Sequence, residues 1–254
     1  MMIYSGPDHI PMNKTLYIAH RGESFDAPEN TLASFDLAWQ RGDDGIELDV
    51  HLSADGHVVV CHDEDTLRTG GRKLVIREHS LAELLTLDVG TWKDPKWSGQ
   101  TLATLEEVLT ATPTGKAVFV EIKPNTDAAA DAVARVLEQP RFARGDARVI
   151  SFHLHVLKRA KLQSPKRKCY WTIEKPKHLG EIIQQTIDAK LDGLDLEDGP
   201  WVDAKLVRTL HTAKLELYLF TVDDPNRCRE LESIGVDGIT SNRAAWVRNP
   251  GKPF

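Results

Sequence analysis

The chain of 254 residues has few cysteines, no excess of basic residues and no long apolar run. Its three cysteines, Cys61, Cys169 and Cys228, are odd in number and widely spaced, which indicates a reducing compartment. Because 38 acidic residues outnumber 32 basic ones, giving a formal charge of −6, we expect no nucleic-acid partner and no anionic-membrane surface. Any phosphate group that the protein binds must then be met by a few local cations.

The first 15 residues have neither a basic start nor an apolar run long enough for a signal peptide or a membrane span. We therefore expect a cytoplasmic protein with no membrane segment, and the sequence leaves its oligomeric state open. The composition, 41% hydrophobic and 28% charged, is that of an ordinary globular protein. A chain of this length can form one large domain, and we predict a single domain over residues 1–254.

A dense group of polar side chains lies in the first quarter of the sequence. His20 and Arg21 directly follow a short apolar run at residues 16–19, which predicts a strand that delivers an imidazole and a guanidinium to the loop after it. Loops on a rigid scaffold commonly carry chemistry. Asn30 and Thr31 then offer N-cap side chains for a helix. The first unit is therefore strand, polar loop and helix.

The next strand alternates apolar and polar residues over 46–52, so Glu47 and Asp49 share one face. Two carboxylates side by side repel unless a cation lies between them, and an all-oxygen pair favours a hard ion such as Mg²⁺ or Ca²⁺ over zinc. His51 lies on the same face, but we expect it further along the strand and away from the ion.

Residues 53–56, SADG, predict a turn that leads into the segment HVVVCHD. A four-residue loop pairs Leu52 with His57, and counting along both strands sets His62 opposite Glu47. We therefore predict a hairpin that brings His62 beside the carboxylates.

Eight strand patterns, each followed by a helical pattern, predict a (β/α)8 TIM barrel. They begin near residues 15, 45, 117, 147, 168, 193, 216 and 237. The segment HVVVCHD cannot be a barrel strand, because a four-residue turn joins antiparallel neighbours. We place it in a small insertion after the second strand, at about residues 53–100. Five polar residues then fall toward the C-terminal strand ends, where barrel enzymes place their chemistry: His20, Glu47, Asp49, Glu121 and Lys123.

This set of side chains suits phosphodiester hydrolysis. Three carboxylates can hold one hard divalent ion with positions left open, and such an ion lowers the pKa of a bound hydroxyl and polarises a phosphoryl oxygen. Arg21 and Lys123 can neutralise the remaining phosphoryl charge. A pair of histidines can serve as base and acid.

The segments AHRG, PENT, GIELDVHLSADGHVVVCHD, TLEEVL, VEIK, ISF and GVDGIT resemble the glycerophosphodiester phosphodiesterase family, densely up to Lys123 and more thinly afterwards. The resemblance implies a barrel with a small insertion after the second strand. It also implies metal-dependent hydrolysis of small glycerophosphodiesters to glycerol 3-phosphate and an alcohol, with Mg²⁺ or Ca²⁺, through a cyclic phosphate formed by the substrate's own 2-hydroxyl. It assigns the metal ligands Glu47, Asp49 and Glu121, the two acid/base histidines His20 and His62, and the phosphate contacts Arg21 and Lys123.

The sequence departs from the family pattern at two places. Phe220 stands where the family usually has tryptophan before Thr-Val, and Ser241 and Asn242 stand where it has Thr-Asp. Phe220 keeps an aromatic wall without the indole donor, so the substrate pocket differs in what it can hydrogen-bond. Trp171, at the end of the fifth strand, is a second candidate for that pocket, and a place in the core is the equal alternative.

Two other functions fit parts of the pattern. One is a phospholipase-D-like activity on lysophospholipids, and the other is a non-catalytic barrel that binds phosphate esters. The intact histidine pair favours an enzyme, since a binding module has no need of two proton-transfer groups beside a metal. His153 and His155 form an H-x-H motif that can bind metal in other barrels, but it follows the fourth strand rather than the first, which favours a helix-start or surface role.

Overall fold

The computed structural model describes residues 14–142 and 145–252. The N-terminal stretch for which we expect no signal peptide lies outside these residues, except for its last two. Within the described part of the chain, every helix falls short of the length and apolarity that a membrane span requires.

Ten strands occur in the described residues, and eight of them form a closed parallel barrel. In chain order they are β1 (Leu16–His20), β2 (Gly45–Leu52), β3 (Val58–Val60), β4 (Ala103–Thr104), β5 (Ala117–Ile122), β6 (Asp146–Ser151), β7 (Cys169–Ile173), β8 (Gly193–Glu197), β9 (Glu216–Phe220) and β10 (Gly238–Ser241). All except β3 and β4 run parallel, and β1 pairs with both β2 and β10, which closes the barrel. The predicted TIM barrel is confirmed.

Most helices cover the outer face of the barrel strands, whereas the second and third in chain order are short and lie between β3 and β4. In the described residues they are α1 (Leu32–Arg41), α2 (Leu67–Gly70), α3 (Leu81–Leu84), α4 (Leu105–Ala111), α5 (Asp127–Leu137), α6 (Leu154–Gln163), α7 (Leu179–Asp188), α8 (Ala204–Thr212), α9 (Pro225–Ile234) and α10 (Ala244–Arg248). The main apolar core lies between strands and helices, where outward residues such as Leu48 and Val120 pack with Phe35 of α1. Burial of this layer is the chief force that holds the barrel closed.

The hairpin after β2 has a register one residue away from the predicted one. Leu52 pairs with Val58, not with His57, and the Ser53 N–H donates to the His57 carbonyl at 2.9 Å. Ser53 therefore continues the ladder and leaves a three-residue loop that ends at Gly56, whose φ is +85°. The Ser53 hydroxyl oxygen also accepts from the His57 N–H at 2.9 Å, which holds the tighter loop.

The corrected register changes how His62 reaches the carboxylates. β3 ends at Val60, so His62 stands in the loop after the strand and is not opposite Glu47. The segment between β2 and α4 is the predicted insertion, with β3 and β4 antiparallel to their neighbours. It has a small apolar core of its own, formed by Val59, Cys61, Leu74, Ile76, Leu84, Leu87, Val89 and Leu102.

Three aromatic rings fill the inside of the barrel. Phe119, Tyr170 and Tyr218 lie with ring centroids 4.8–6.0 Å apart, in tilted or edge-on contact. Gly238 on β10 makes room for them, because a Cβ there would lie 2.6 Å from the Tyr218 ring.

Charged groups sit below these rings, at the N-terminal end of the strands. The Arg148 guanidinium donates to Asp146 at 2.7 Å and to the Tyr218 hydroxyl. The Glu216 carboxylate accepts from the hydroxyls of Tyr170 at 2.6 Å and Tyr218 at 3.0 Å. We call these five residues the floor of the barrel.

Candidate active site

The opposite, C-terminal end of the barrel gathers the three predicted metal ligands. Glu47 and Asp49 face inward from β2, and Glu121 lies beside Asp49 on β5. Each offers a carboxylate oxygen within 4.8 Å of the others, and all three residues are buried. Strand pairing therefore brings together carboxylates that lie far apart in the sequence.

Burial, repulsion and neighbouring cations shift the pKa values of these carboxyl groups, two of them upward and one downward. Burial, with the charges of Asp49 and Glu121 beside it, raises the pKa of Glu47 well above its ordinary value, and burial next to Asp49 raises that of Glu121 to about 8. Although burial works in the opposite direction, the Arg21 and Lys123 cations hold the pKa of Asp49 at about 2. Glu47 Oε1 is buried without a hydrogen-bond partner in the described residues. These oxygens fit a hard divalent ion, which would supply the missing positive charge.

Both predicted phosphate contacts border the cluster. Arg21 Nε lies 3.2 Å from Asp49 Oδ2, and its backbone N–H donates to Glu47 at 3.0 Å. Lys123 Nζ lies 2.9 Å from Glu121 and 3.5 Å from Asp49. The two cations thus flank the carboxylates from β1 and β5.

Asn30 belongs to this site, which its sequence position did not reveal. Its side-chain N–H donates to Asp49 Oδ2 at 2.8 Å, and its Oδ1 accepts from the Asp49 N–H at 3.3 Å. Thr31 alone caps α1. Asn and Thr offer the same N-cap chemistry, so only the tertiary contact tells their roles apart.

His20 lies at the end of β1 and is held by a distant part of the chain. Its Nδ1 is 2.7 Å from Asn242 Oδ1, and its Nε2 is 3.9 Å from Glu47 Oε2. Burial and the neighbouring Arg21 guanidinium lower the pKa of His20, which favours the neutral imidazole.

His62 approaches from the insertion. Its Nδ1 is 2.7 Å from Asp63 Oδ1, and Asp63 Oδ2 accepts from Arg68 Nε at 2.7 Å. His51 supports this loop, since its Nε2 is 3.1 Å from the His62 carbonyl oxygen. The sequence prediction that His51 lies along the hairpin, rather than at the ion, agrees with this contact.

A cavity of about 200 Å³ joins these groups at the barrel mouth. Its lining residues are His20, Arg21, Glu47, His62, Glu121, Lys123, Ile150, Phe152, Thr172, Glu174, Asp195, Phe220, Thr221 and Thr240. Six of the seven site residues predicted from the resemblance line it, and the seventh, Asp49, is buried in contact with two of them, Arg21 and Lys123. The same cavity thus offers both histidines to one ligand.

The two pocket candidates differ in position. Phe220 lines the cavity and meets Phe152 edge to face, with ring centroids 6.2 Å apart. Trp171 lies on the other face of β7 from Thr172, packs against the main core and donates from Nε1 to the Phe152 carbonyl at 3.2 Å. The structure therefore places Trp171 outside the predicted pocket, because side chains alternate along a strand. His153 and His155 lie at the start of α6.

A parallel barrel whose C-terminal end combines buried carboxylates, two cations and two imidazoles defines a class, the barrel hydrolases that act on phosphate esters with a divalent metal ion. The sequence model of the glycerophosphoryl diester phosphodiesterase family matches residues 20–245, and the chain belongs to this family of phosphoric diester hydrolases. Its members depend in general on a divalent metal ion, and the buried acidic cluster is compatible with one.

Individual proteins that are similar to this chain in sequence or in structure support the assignment over nearly its whole length. A glycerophosphodiester phosphodiesterase of Bacillus altitudinis is 30% identical over 246 residues, which is 94% of this chain and 100% of that protein. A phosphodiesterase of Oleispira antarctica, solved in complex with its product sn-glycerol-3-phosphate, is 30% identical with a TM-score of 0.82, covering 91% and 94% of the two chains. A glycerophosphodiester phosphodiesterase of Agrobacterium tumefaciens is 27% identical with a TM-score of 0.77, covering 92% and 99%.

Proposed function

We propose that this enzyme hydrolyses small glycerophosphodiesters to glycerol 3-phosphate and an alcohol, with one Mg²⁺ or Ca²⁺ held by Glu47, Asp49 and Glu121. The observation that carries the proposal is the buried carboxylate cluster. Burial and repulsion raise the pKa of Glu47 and of Glu121. Glu47 Oε1 also has no hydrogen-bond partner in the described residues. A bound hard ion supplies Lewis-acid chemistry to a phosphoryl oxygen. The glycerol 3-phosphate bound by the Oleispira antarctica relative supports this substrate class.

Arg21 and Lys123 hold the phosphate group in this proposal. Both border the carboxylate cluster and both line the cavity, so a phosphodiester there meets a guanidinium on one side and an ammonium on the other. Charge-assisted hydrogen bonds to phosphoryl oxygens are stronger than neutral ones. They fix the phosphorus between the two imidazoles.

The two histidines take different proton-transfer roles because their Nδ1 partners differ. His20 faces a neutral amide, which suits a neutral imidazole with a free lone pair at Nε2, whereas His62 faces the Asp63 carboxylate, which complements an imidazolium. His20 Nε2 accepts the proton of the glycerol 2-hydroxyl as that oxygen bonds to phosphorus. His62 donates a proton to the departing alcohol oxygen, which leaves a cyclic phosphate. Water then opens the ring with the two roles reversed.

A substrate panel tests this function. Protein stripped of metal with EDTA is dialysed and then given Mg²⁺ or Ca²⁺, and release of the free alcohol, choline or ethanolamine, is measured from glycerophosphocholine, glycerophosphoethanolamine and lysophosphatidylcholine. The first two substrates should also release glycerol 3-phosphate. We expect turnover of the first two only after metal is restored. An analogue of glycerophosphocholine without the 2-hydroxyl should bind and resist cleavage. Full turnover in EDTA, or cleavage of the analogue, would contradict the proposal, and preference for lysophosphatidylcholine would favour the lipid-directed alternative.

A further inference from the structure

The contact between His20 and Asn242 supports an inference that rests on the proposed role of His20 as base. We propose that Asn242 is a positioning residue that keeps the His20 proton on Nδ1, and that Asp223 fixes the direction of the Asn242 amide. The pair thereby presents an unprotonated Nε2 to the substrate. Asn242 follows β10 and Asp223 follows β9, so two neighbouring strand ends serve the histidine on β1.

The direction of the Asn242 amide follows from its contact with Asp223. Asn242 Nδ2 lies 2.6 Å from Asp223 Oδ2. A carboxylate oxygen only accepts hydrogen bonds, so the group facing it must be the amide NH₂. The amide oxygen therefore points to His20, at 2.7 Å from Nδ1. In the opposite orientation, two acceptor oxygens would face each other at Asp223.

The proton position on His20 follows in turn. Because an amide oxygen cannot donate, Nδ1 must carry a hydrogen, and in the neutral imidazole, which burial favours, Nε2 then holds the lone pair. Nε2 is the nitrogen directed toward Glu47 and the cavity. The hydroxyl of Ser24 also donates to Asn242 Oδ1, at 3.3 Å, which leaves that oxygen engaged with donors on both sides. The base is thus poised before any ligand binds.

Asp223 is itself held in a defined pose. Its Oδ1 accepts from the Asn242 backbone N–H at 2.9 Å and from the Ser241 hydroxyl at 2.7 Å, which leaves Oδ2 for the Asn242 amide. The Asn242 carbonyl accepts from the Phe25 N–H at 2.9 Å, which ties the loop after β1 to the same point. The three loops after β1, β9 and β10 therefore share one hydrogen-bond network.

This arrangement explains how the chain tolerates asparagine where the family pattern has aspartate. The group that accepts from His20 is still an oxygen, but it belongs to the Asn242 amide. The carboxylate is that of Asp223, which accepts from the NH₂ group of the same amide. If asparagine and aspartate exchange places at positions 223 and 242, each hydrogen bond of this network can still form. A new carboxylate at position 242 accepts from His20, and a new amide at position 223 donates to it while its oxygen accepts from Ser241 and the backbone.

The exchange gives a sharp test. Asp223→Asn alone places two NH₂ groups face to face, so the Asn242 amide rotates and offers a donor to His20, which moves the proton to Nε2. We expect kcat to fall about tenfold with KM nearly unchanged, a modest loss because Asp223 is exposed and water can replace part of its role. Asn242→Asp alone sets two carboxylates in contact and should cost a similar factor. The double variant Asp223→Asn with Asn242→Asp should recover most of the activity.

The matched control is Asp224→Asn, which removes a neighbouring exposed charge while an asparagine still caps α9. It should leave kcat unchanged. A double variant no more active than either single variant, or an Asp224→Asn effect equal to that of Asp223→Asn, would overturn the inference.

A second measurement needs neither activity nor metal. The ¹⁵N chemical shifts of the His20 ring, assigned by their loss in His20→Gln, report which nitrogen carries the proton. We expect the proton on Nδ1 in the wild-type protein and on Nε2 in Asp223→Asn. A proton on Nε2 in the wild type would overturn the inference. If the proton is on Nδ1 but His20→Gln keeps full kcat, the positioning contact stands and the proposed role of His20 as base fails.

Discussion

At the floor of the barrel, Glu216 accepts from Lys168 at 2.6 Å and from two tyrosine hydroxyls. At the mouth, Glu47 is more deeply buried and one of its oxygens has no partner among the described residues. Although burial opposes it, hydrogen bonds from Lys168 and Tyr170 hold the pKa of Glu216 below its ordinary value, while burial and repulsion raise that of Glu47. The same barrel interior therefore gives the Glu216 carboxylate matched hydrogen-bond donors at the floor, whereas at the mouth one oxygen of the Glu47 carboxyl group has no such donor in the part of the chain that the structure describes.

The difference separates folding from function. A carboxylate with matched donors contributes to stability, and a buried carboxylate without them reduces stability until a ligand binds. Strongly perturbed acidity that is caused by burial next to like charges is typical of functional sites. Changes at the mouth should therefore act on activity and metal binding, and changes at the floor on stability.

The largest effect is expected from two variants at the mouth, one that removes a negative side chain and one that removes a positive side chain. Glu121→Gln keeps the side-chain shape but removes one of three negative charges, so metal affinity should fall, activity should drop by about a hundredfold at low metal, and excess Mg²⁺ or Ca²⁺ should partly restore it. Lys123→Met removes a phosphoryl contact, so kcat/KM should fall and stay low in added metal. Metal titrations of initial rates measure both. If added metal restored Lys123→Met and not Glu121→Gln, the two roles would have to be exchanged.

An effect of similar size is expected for proton transfer at the mouth. His20→Ala and His62→Ala should each lower kcat by at least about a hundredfold and leave metal affinity nearly unchanged, because neither imidazole is a proposed ligand. Single-turnover rates and calorimetric metal titration on the same samples provide the two measurements. Loss of metal binding in either variant would mean that the histidine belongs to the metal site.

Most of the mouth was predictable because strand ends can be located in a sequence. Apolar runs followed by polar residues gave eight strands in the right order, and the C-terminal ends of parallel strands lie at one end of a barrel. His20, Glu47 and Glu121 could therefore be placed together before any contact was known. Strand alternation, applied with the correct phase, also separates Thr172 from Trp171.

What could not be predicted depends on contacts between distant residues or on a small choice in a loop. The SADG turn permits a loop of three or four residues, and the hydrogen bonds of Ser53 decide between them. Asn242 meets His20 across 222 positions, and Asn30 meets Asp49 rather than a helix end. The floor was not predicted either, since the hydrogen bond from Arg148 to the Tyr218 hydroxyl forms only when β6 and β9 face each other across the barrel.

A smaller effect is expected at the floor, and it should appear in stability alone. Arg148→Met removes a buried guanidinium that donates to Asp146 and Tyr218 and lies over the Phe119 ring at 5.1 Å. The lost hydrogen bonds should lower the free energy of unfolding by about 2 kcal/mol. Urea unfolding with metal present measures it, and kcat should stay at the wild-type value.

The partly exposed surface ion pair between Arg159 and Asp131, with 2.7 Å from Nε to Oδ1, supplies the control. Arg159→Met should leave the unfolding midpoint unchanged, because water screens such pairs. If kcat fell in Arg148→Met by as much as it falls in the variants at the mouth, the two ends of the barrel would not differ in function.

The last comparison is a pH dependence that runs in opposite directions at the two ends. Burial raises the pKa of Asp195, in the mouth, from 3.8 to about 7, and its hydrogen bond from Thr172 at 3.4 Å is weak. Between those two values the folded protein holds a proton that the unfolded chain has released, so this group makes stability fall as pH rises from about 4 to about 7. Glu216, with its lowered pKa, contributes stability at neutral pH that is lost as pH falls through its folded value. Thermal unfolding in EDTA across this range should therefore show a flatter profile between pH 4 and 7 for Asp195→Asn, together with higher stability near pH 7, whereas Glu216→Gln should lower stability at pH 7 and lose its effect in acid. Equal slopes for the two variants would show that the mouth and the floor do not differ in how they hold their acids.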